Sequence, residues 1–313
     1  MLPTTCPLYY DGRPFTRKFA NDHGWSDRKL ASLVRDGQIR RLVKSVYVDA
    51  LVPDTIELRA AAVALIAPCD VVVCRETAAW IYGVDALALR DRERLPAIDC
   101  VQPPKRRASR LTISSGHSQN LLPGDIVEIA SLRITSPVAT AIHLARHLAR
   151  PFALSAIDSM LHTQFVDVLD LRAATTRYPH HPGIVQAREV LRYAEPLTES
   201  PGESWLRLRL LDAGFGRPVA QIPVKGRHRD FRIDMGYPDP MEDGRRLGLE
   251  YDSDQWHSRP GDEDRDEDRR KELAEVGWHI LSVRRPDVWG RYPALELAVG
   301  ELLGTQPRLP RRW

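Results

Sequence analysis

Four cysteines in 313 residues, Cys6, Cys69, Cys74 and Cys100, form no C-x-x-C pair and have no histidine at zinc-ligand spacing. Neither a disulfide scaffold nor a thiolate metal centre is indicated. No apolar stretch approaches the roughly 20 residues that span a bilayer, and the first fifteen residues lack a charged segment followed by an apolar one. A cytoplasmic protein without a membrane partner is therefore expected. Net charge is nearly absent as well: 45 Lys+Arg against 42 Asp+Glu leave +3. Lysine is scarce, since 39 of the 45 basic residues are Arg, the side chain suited to planar contact with phosphate or a base edge. An apolar content of 43% excludes disorder, and at roughly 150 residues per domain the length fits two or three compact units.

The charge is uneven. Residues 1–49 carry nine basic and five acidic residues, 50–199 carry sixteen of each, and 200–313 carry twenty and twenty-one. In the basic first part, Ser26 offers an N-cap to DRKLASLVRDG, where Leu30, Leu33 and Val34 share a face and Gly37 ends the helix. IRRLVKSVYV follows as two short strands around a Lys44-Ser45 turn. Helix, helix and a two-stranded wing predict a winged helix-turn-helix over 1–50. Arg28, Lys29, Ser32 and Arg35 lie off the apolar stripe, free to enter a major groove, and Arg40, Arg41 and Lys44 fall on the wing near phosphates. Double-stranded DNA is the expected partner.

The run LASLVRDGQIRRLVKSVYV resembles the winged-helix domain of the AbiEi family of antitoxins, with Ser45 where Gly is frequent. VVVCRETAAWIYGV and ITSPVATAIHLAR resemble the segments that follow in that family, with His143 where Asp is common. The resemblance implies an α/β middle domain over 51–195, a cognate toxin as partner, and a role in transcriptional autorepression. The loop PPKRRASR, 103–110, is either a solvated charge run or a second phosphate contact, and His143 and His147, four apart without an intervening Glu, read as a helix face.

A fresh unit, 196–313, begins where Ser200 caps a helix with Pro201 at its first position and Glu203 at its third. Glu203 either completes that cap or points inward, where an ionised carboxylate needs a charged partner or a metal. VAQIPV, FRIDMGY and LGLEYD read as strands. Strict alternation puts Phe231, Ile233 and Met235 on one face and Asp234 on the other, with Glu250 on the matching side of its neighbour. Two such carboxylates suit one hard cation, Mg²⁺ or Mn²⁺, and a cation so held activates water for phosphodiester hydrolysis.

The succession ESWLRLRLLDAGF, VAQIPV, DFRIDMGYP, LGLEYDSDQWH and DEDRRKELAEVGWHILSV resembles the very-short-patch-repair-like endonuclease branch of the PD-(D/E)xK superfamily. The resemblance implies a restriction-endonuclease-like α/β/α sheet and site residues Glu203, Asp234, Glu250, Asp252, His257, Asp266 and Arg269, with Asp234 and Glu250 as metal ligands. The superfamily lysine is absent, its place taken by Asp252. Lys225, Arg269 and Arg270 are alternative sources of the missing cation. Ser253 stands where relatives carry Gly, and Ser282 where Arg is common. His257 suits a proton shuttle. Two functions stay open: a Mg²⁺-dependent DNA endonuclease, or an antitoxin-like regulator whose nuclease-like domain is an inactive scaffold or a surface for a homodimer.

Overall fold

The computed structural model describes residues 12–68, 70–84, 98–102, 114–118, 121–252 and 262–313. Cys6, Cys69, the loop 103–110, Ser253 and His257 lie outside these residues. The architecture is multidomain α/β, with a winged-helix-like N-terminal region and a mixed sheet-and-helix C-terminal region. Contacts divide it into two units, Met1–His147 with Leu169–Ile184, and Leu148–Val168 with Val185–Trp313.

The first unit opens with β1 (Phe15–Thr16), α1 (Arg17–Asp22), α2 (Asp27–Arg35), β2 (Ile39–Val43) and β3 (Val46–Asp49), the strands ordered β1-β3-β2. Thr16 and Ser26 cap the helices, their hydroxyls accepting from the amides of Phe19 and Lys29. Leu30, Leu33, Phe15, Ala20 and Ile39 form the core, with Trp25 and Tyr47 packed against it. Val34, expected on the apolar face, is instead 38% exposed. Ser45 adopts φ +66° at the wing turn, which explains physically why glycine suits this place.

Beyond the wing come α3 (Ile56–Ala64), β4 (Val72–Val73), α4 (Arg75–Ile81), β5 (Ile98–Gln102), β6 (Ser114–Ser118), β7 (Ile126–Ile129), β8 (Leu132–Thr135) and α5 (Pro137–His147). The strands make a five-stranded sheet, β6-β5-β4-β8-β7. Cys100 lies on β5 and Cys74 directly after β4 at the start of α4; both are buried and neither is in a disulfide. On α5, His143 is buried and His147 exposed, so the pair does not converge on one ion.

The second unit holds α6 (Arg150–His162), α8 (Ile184–Tyr193) and α9 (Pro201–Ala213); α7 (Val168–Ala174) precedes α8 in the chain. Then follow β9 (Val219–Lys225), β10 (Asp230–Tyr237), β11 (Arg246–Asp252), α10 (Asp262–Glu275), β12 (Trp278–Arg284), α11 (Arg285–Trp289) and α12 (Ala294–Leu302). Sheet order is β12-β11-β10-β9, with β11 and β12 parallel and the other pairs antiparallel. Helix α9 is buried on nearly every side, which its alternation of leucine and arginine does not advertise. Its arginines are held by internal partners, although Arg207 Nε is buried without one among the described residues. Arg207 pairs with Asp158 of α6, which also accepts from Ser204 Oγ at 2.6 Å and the Glu195 amide at 2.8 Å. Arg209 Nε donates to the Val288 carbonyl at 2.8 Å. Trp205 stacks edge-on with Phe152 and Trp289. Removing one partner of the buried Arg207–Asp158 pair would strand a charge, at a cost of about 3–5 kcal/mol. These contacts fix the helix that carries Glu203.

Candidate functional site

The sheet of the second unit is covered on both faces. On one, Leu273 of α10 packs with Phe231, Ile233, Ile222, Val224 and Trp278. On the other, the first turn of α9 presses on β11: a Cβ on Gly202 would lie 2.0 Å from the Tyr251 ring. No side chain but hydrogen fits there.

The side-chain alternation that predicts Phe231, Ile233 and Met235 on one face does not hold along β10. Gly236 and Gly248 are register partners. Cβ atoms built on them meet Ile222 and Ile233, respectively, so both glycines face the Leu273 side. Ile233 and Gly236 therefore share a face at odd spacing, and Met235, paired with Leu249, turns to the α9 side. This slip in alternation is centred on Asp234, and the β9–β10 register is the same on either side of it. On β9, Gln221 is the residue between the pairs Ile233↔Ile222 and Met235↔Ala220, and it adopts φ +50°. A left-handed non-glycine residue inside a strand is uncommon and is concentrated at functional positions.

The same slip opens the ladder between β10 and β11, whose last shared pair in this direction among the described residues is Met235↔Leu249. Side chains take the ladder positions left vacant. The Tyr251 amide donates to Asp234 Oδ2 at 2.9 Å, and the Arg232 carbonyl accepts from Arg269 Nη2 at 2.9 Å. Arg269 also donates to Glu250 Oε1 at 2.5 Å, which ties α10 to the opening. From the α9 side, Glu203 Oε2 accepts from Gln221 Nε2 at 2.9 Å and from the Glu199 amide at 3.2 Å. Ser200 Oγ accepts from the Glu203 amide at 3.2 Å. Glu203 thus sits in the helix cap and, through the same carboxylate, reaches the sheet.

Burial above all, and then the Glu203 and Glu250 charges, push the Asp234 carboxyl up to about 7, against the Tyr251 amide and Arg269, which favour its ionised form. Glu203 from the α9 side, and Glu250 with Arg269 from the α10 side, thus all act on the Asp234 carboxyl. Two strand carboxylates are hard oxygen donors of the kind Mg²⁺ or Mn²⁺ takes, with water completing the shell. Among the described residues no group of three His, Cys, Asp or Glu side chains forms an ion site by itself.

The other expected site residues are distributed as follows. Asp252 is on β11, register partner of Arg284. Asp266 lies in α10, its side chain outside the described set, and His257 is outside it altogether. Of the alternative cations, Arg269 is at the carboxylates, whereas Lys225 and Arg270 are exposed. Gln221 escaped sequence reading, although a lone amide in the apolar strand VAQIPV was a visible signal.

In the winged-helix region Arg28, Lys29 and Arg35 of α2 and Arg41 and Lys44 of the wing are exposed. Ser32 Oγ donates to Asp36 at 3.1 Å. Arg40 is engaged with the Val52 carbonyl at 3.0 Å and Asp54 at 3.8 Å, so Arg41 and Lys44 are the wing's available cations. A groove of about 340 Å³ between helix and wing is lined by Arg17, Asp27, Leu30, Val34, Arg41 and Tyr47, and Arg17 pairs with Asp27 across it.

Two family models match the chain: the AbiEi antitoxin C-terminal domain over residues 71–193 and REase_MTES_1575 over 209–298, the latter including Asp234, Glu250 and Arg269. Two curated relatives are 34% identical over 263 residues, 83% of this chain and 91% of theirs. They are Uncharacterized protein MT2308 of Mycobacterium tuberculosis (strain CDC 1551 / Oshkosh) and Uncharacterized protein Rv2248 of Mycobacterium tuberculosis (strain ATCC 25618 / H37Rv). The chain belongs to the family of these mycobacterial proteins, and in it an AbiEi-like antitoxin domain is fused to a distinct C-terminal nuclease-related domain.

Proposed function

We propose that the protein binds duplex DNA through its winged helix and hydrolyses DNA phosphodiester bonds at the opening between β10 and β11, as a PD-(D/E)xK-type endonuclease. The observation that carries this reading is Asp234 at a break in the sheet, bound by the Tyr251 amide next to Glu250, with Arg269 on Glu250. Asp234 and Glu250 would hold Mg²⁺ or Mn²⁺, which when bound supplies an activated water and offsets charge on the phosphate. Glu203, fixed by Gln221 and the α9 cap, orients water from the α9 side. Arg269 stands where the missing lysine's charge is needed and stabilises negative charge at the reacting phosphate. Asp252, His257 and Asp266 complete the proposed set, His257 as proton shuttle. Arg28, Lys29, Ser32, Arg35, Arg41 and Lys44 make the DNA contacts.

A second reading has its own support. Arg269 already closes on Glu250, and the AbiEi match covers 71–193. On this reading the protein is an antitoxin-like autorepressor, paired with a toxin, with an inactive nuclease-like domain.

One gel experiment separates them. Supercoiled plasmid is mixed with the full chain in Mg²⁺ or Mn²⁺, and both band shift and cleavage are scored. Asp234→Ala with Glu250→Ala keeps the shift and loses cleavage, whereas charge reversal at Arg28, Lys29 and Arg41 weakens the shift and flattens its salt dependence. Wild-type protein that shifts DNA and never cuts it leaves the regulator. Cleavage by the double variant at the wild-type rate refutes the site.

A further inference from the structure

Sequence alone assigns Gln221 no role, yet three structural features single it out. It is the partnerless register position opposite Asp234, between the Ile233↔Ile222 and Met235↔Ala220 pairs. Its backbone is left-handed within a strand. Its amide is half used: Nε2 donates to Glu203 Oε2 at 2.9 Å, while Oε1 is buried and has no hydrogen-bond partner among the described residues. An amide that gives its NH₂ to a carboxylate has its orientation fixed, because a flip would set oxygen against oxygen. The carbonyl oxygen then has a defined place and nothing there to accept from. A buried, unpaired acceptor of this kind costs stability, and a strained backbone adds to it. Features that cost stability at a carboxylate cluster are best explained by a ligand that uses them.

We propose that Gln221 is a positioning residue of the divalent-cation site: its NH₂ group holds the Glu203 carboxylate, and its free carbonyl oxygen accepts from water in the cation's shell. The proposal rests on the cation reading of Asp234 and Glu250 and adds a neutral oxygen partner to it. Neutrality is useful at this position. A further carboxylate beside Glu203, Asp234 and Glu250 would add like-charge repulsion, whereas an amide contributes one acceptor and one donor without charge.

The test is Mn²⁺ binding to the full chain, read from the electron paramagnetic resonance signal of free Mn²⁺, without DNA. Gln221→Leu and Gln221→Met remove both amide functions at similar size and should weaken Mn²⁺ binding about tenfold, the effect typical of residues that orient a metal's ligands. Val219→Thr, an exposed change on the same strand, should leave it within about twofold. Far-UV circular dichroism selects the variants that keep the fold, and two substitutions guard against one that does not. If folded Gln221 variants bind Mn²⁺ like wild type while Asp234→Ala with Glu250→Ala does not bind, the role of Gln221 is overturned and the cation site stands. If wild type binds no Mn²⁺, or the double variant binds as wild type does, the cation reading fails and this proposal fails with it.

Discussion

At the scale of single residues, burial sets which carboxyls hold a proton. Glu76 of α4 illustrates this outside the candidate site. Burial, and then the Asp99 carboxylate to which it is hydrogen-bonded, push Glu76 from its ordinary 4.5 up to about 7. The folded state thus favours the protonated form. The stabilisation from this group is fully present below pH 4.5 and is lost as pH rises through about 7. Glu76→Gln keeps a neutral group at all pH values, so its stability relative to wild type should be higher at pH 8 than at pH 4. The difference is on the order of 1–3 kcal/mol, measured by urea unfolding at both pH values. A pH-independent difference would contradict the assignment. Cys74 follows the same physics: burial pushes its thiol far above the ordinary range, so it is an inert core residue.

At the scale of elements, the winged-helix region and the helix and three strands that open the C-terminal unit were legible in the sequence, whereas strands β5–β8 and helices α6–α8 were not read from it. Ser26, Ser200 and Pro201 mark helix starts that the structure realises, and VAQIPV, FRIDMGY and LGLEYD became β9, β10 and β11 nearly to the residue. The slip at Asp234 was not legible. FRIDMGY carries apolar residues at 231, 233 and 235, and Met235 is buried whichever face it takes, so the same pattern describes a regular and a slipped strand. The left-handed backbone at Gln221 has no composition signal either, since Gln carries no preference for it. What sequence could give was the identity of the carboxylates; the ladder break that gathers them depends on pairing across strands.

Gly202 belongs to this scale, because it sets how closely α9 approaches β11. Gly202→Ala drives a methyl into the Tyr251 ring and must displace either the ring or the turn bearing Glu203. A destabilisation of about 1–3 kcal/mol is expected, the usual cost of overpacking. Gly124→Ala, where an added Cβ meets nothing within 4 Å, should stay within about 0.5 kcal/mol. Denaturant midpoints of the two variants decide the matter, and equal shifts would contradict the packing described.

At the scale of the whole molecule, a net charge of +3 conceals two different local designs. The winged-helix region concentrates exposed Arg and Lys on α2 and the wing, while the second unit buries carboxylates and answers them with arginine, as at Asp158, Glu250 and Glu296. The matches to an antitoxin domain and to a nuclease-related family fall on successive stretches of one chain. The account stands or falls on whether the opening between β10 and β11 takes up a divalent cation. Anomalous scattering from crystals grown with Mn²⁺ measures this directly. The account predicts a peak at about 2.0–2.3 Å from carboxylate oxygens of both Asp234 and Glu250, whereas saturating Mn²⁺ with no peak at these side chains, or peaks only elsewhere, would contradict it.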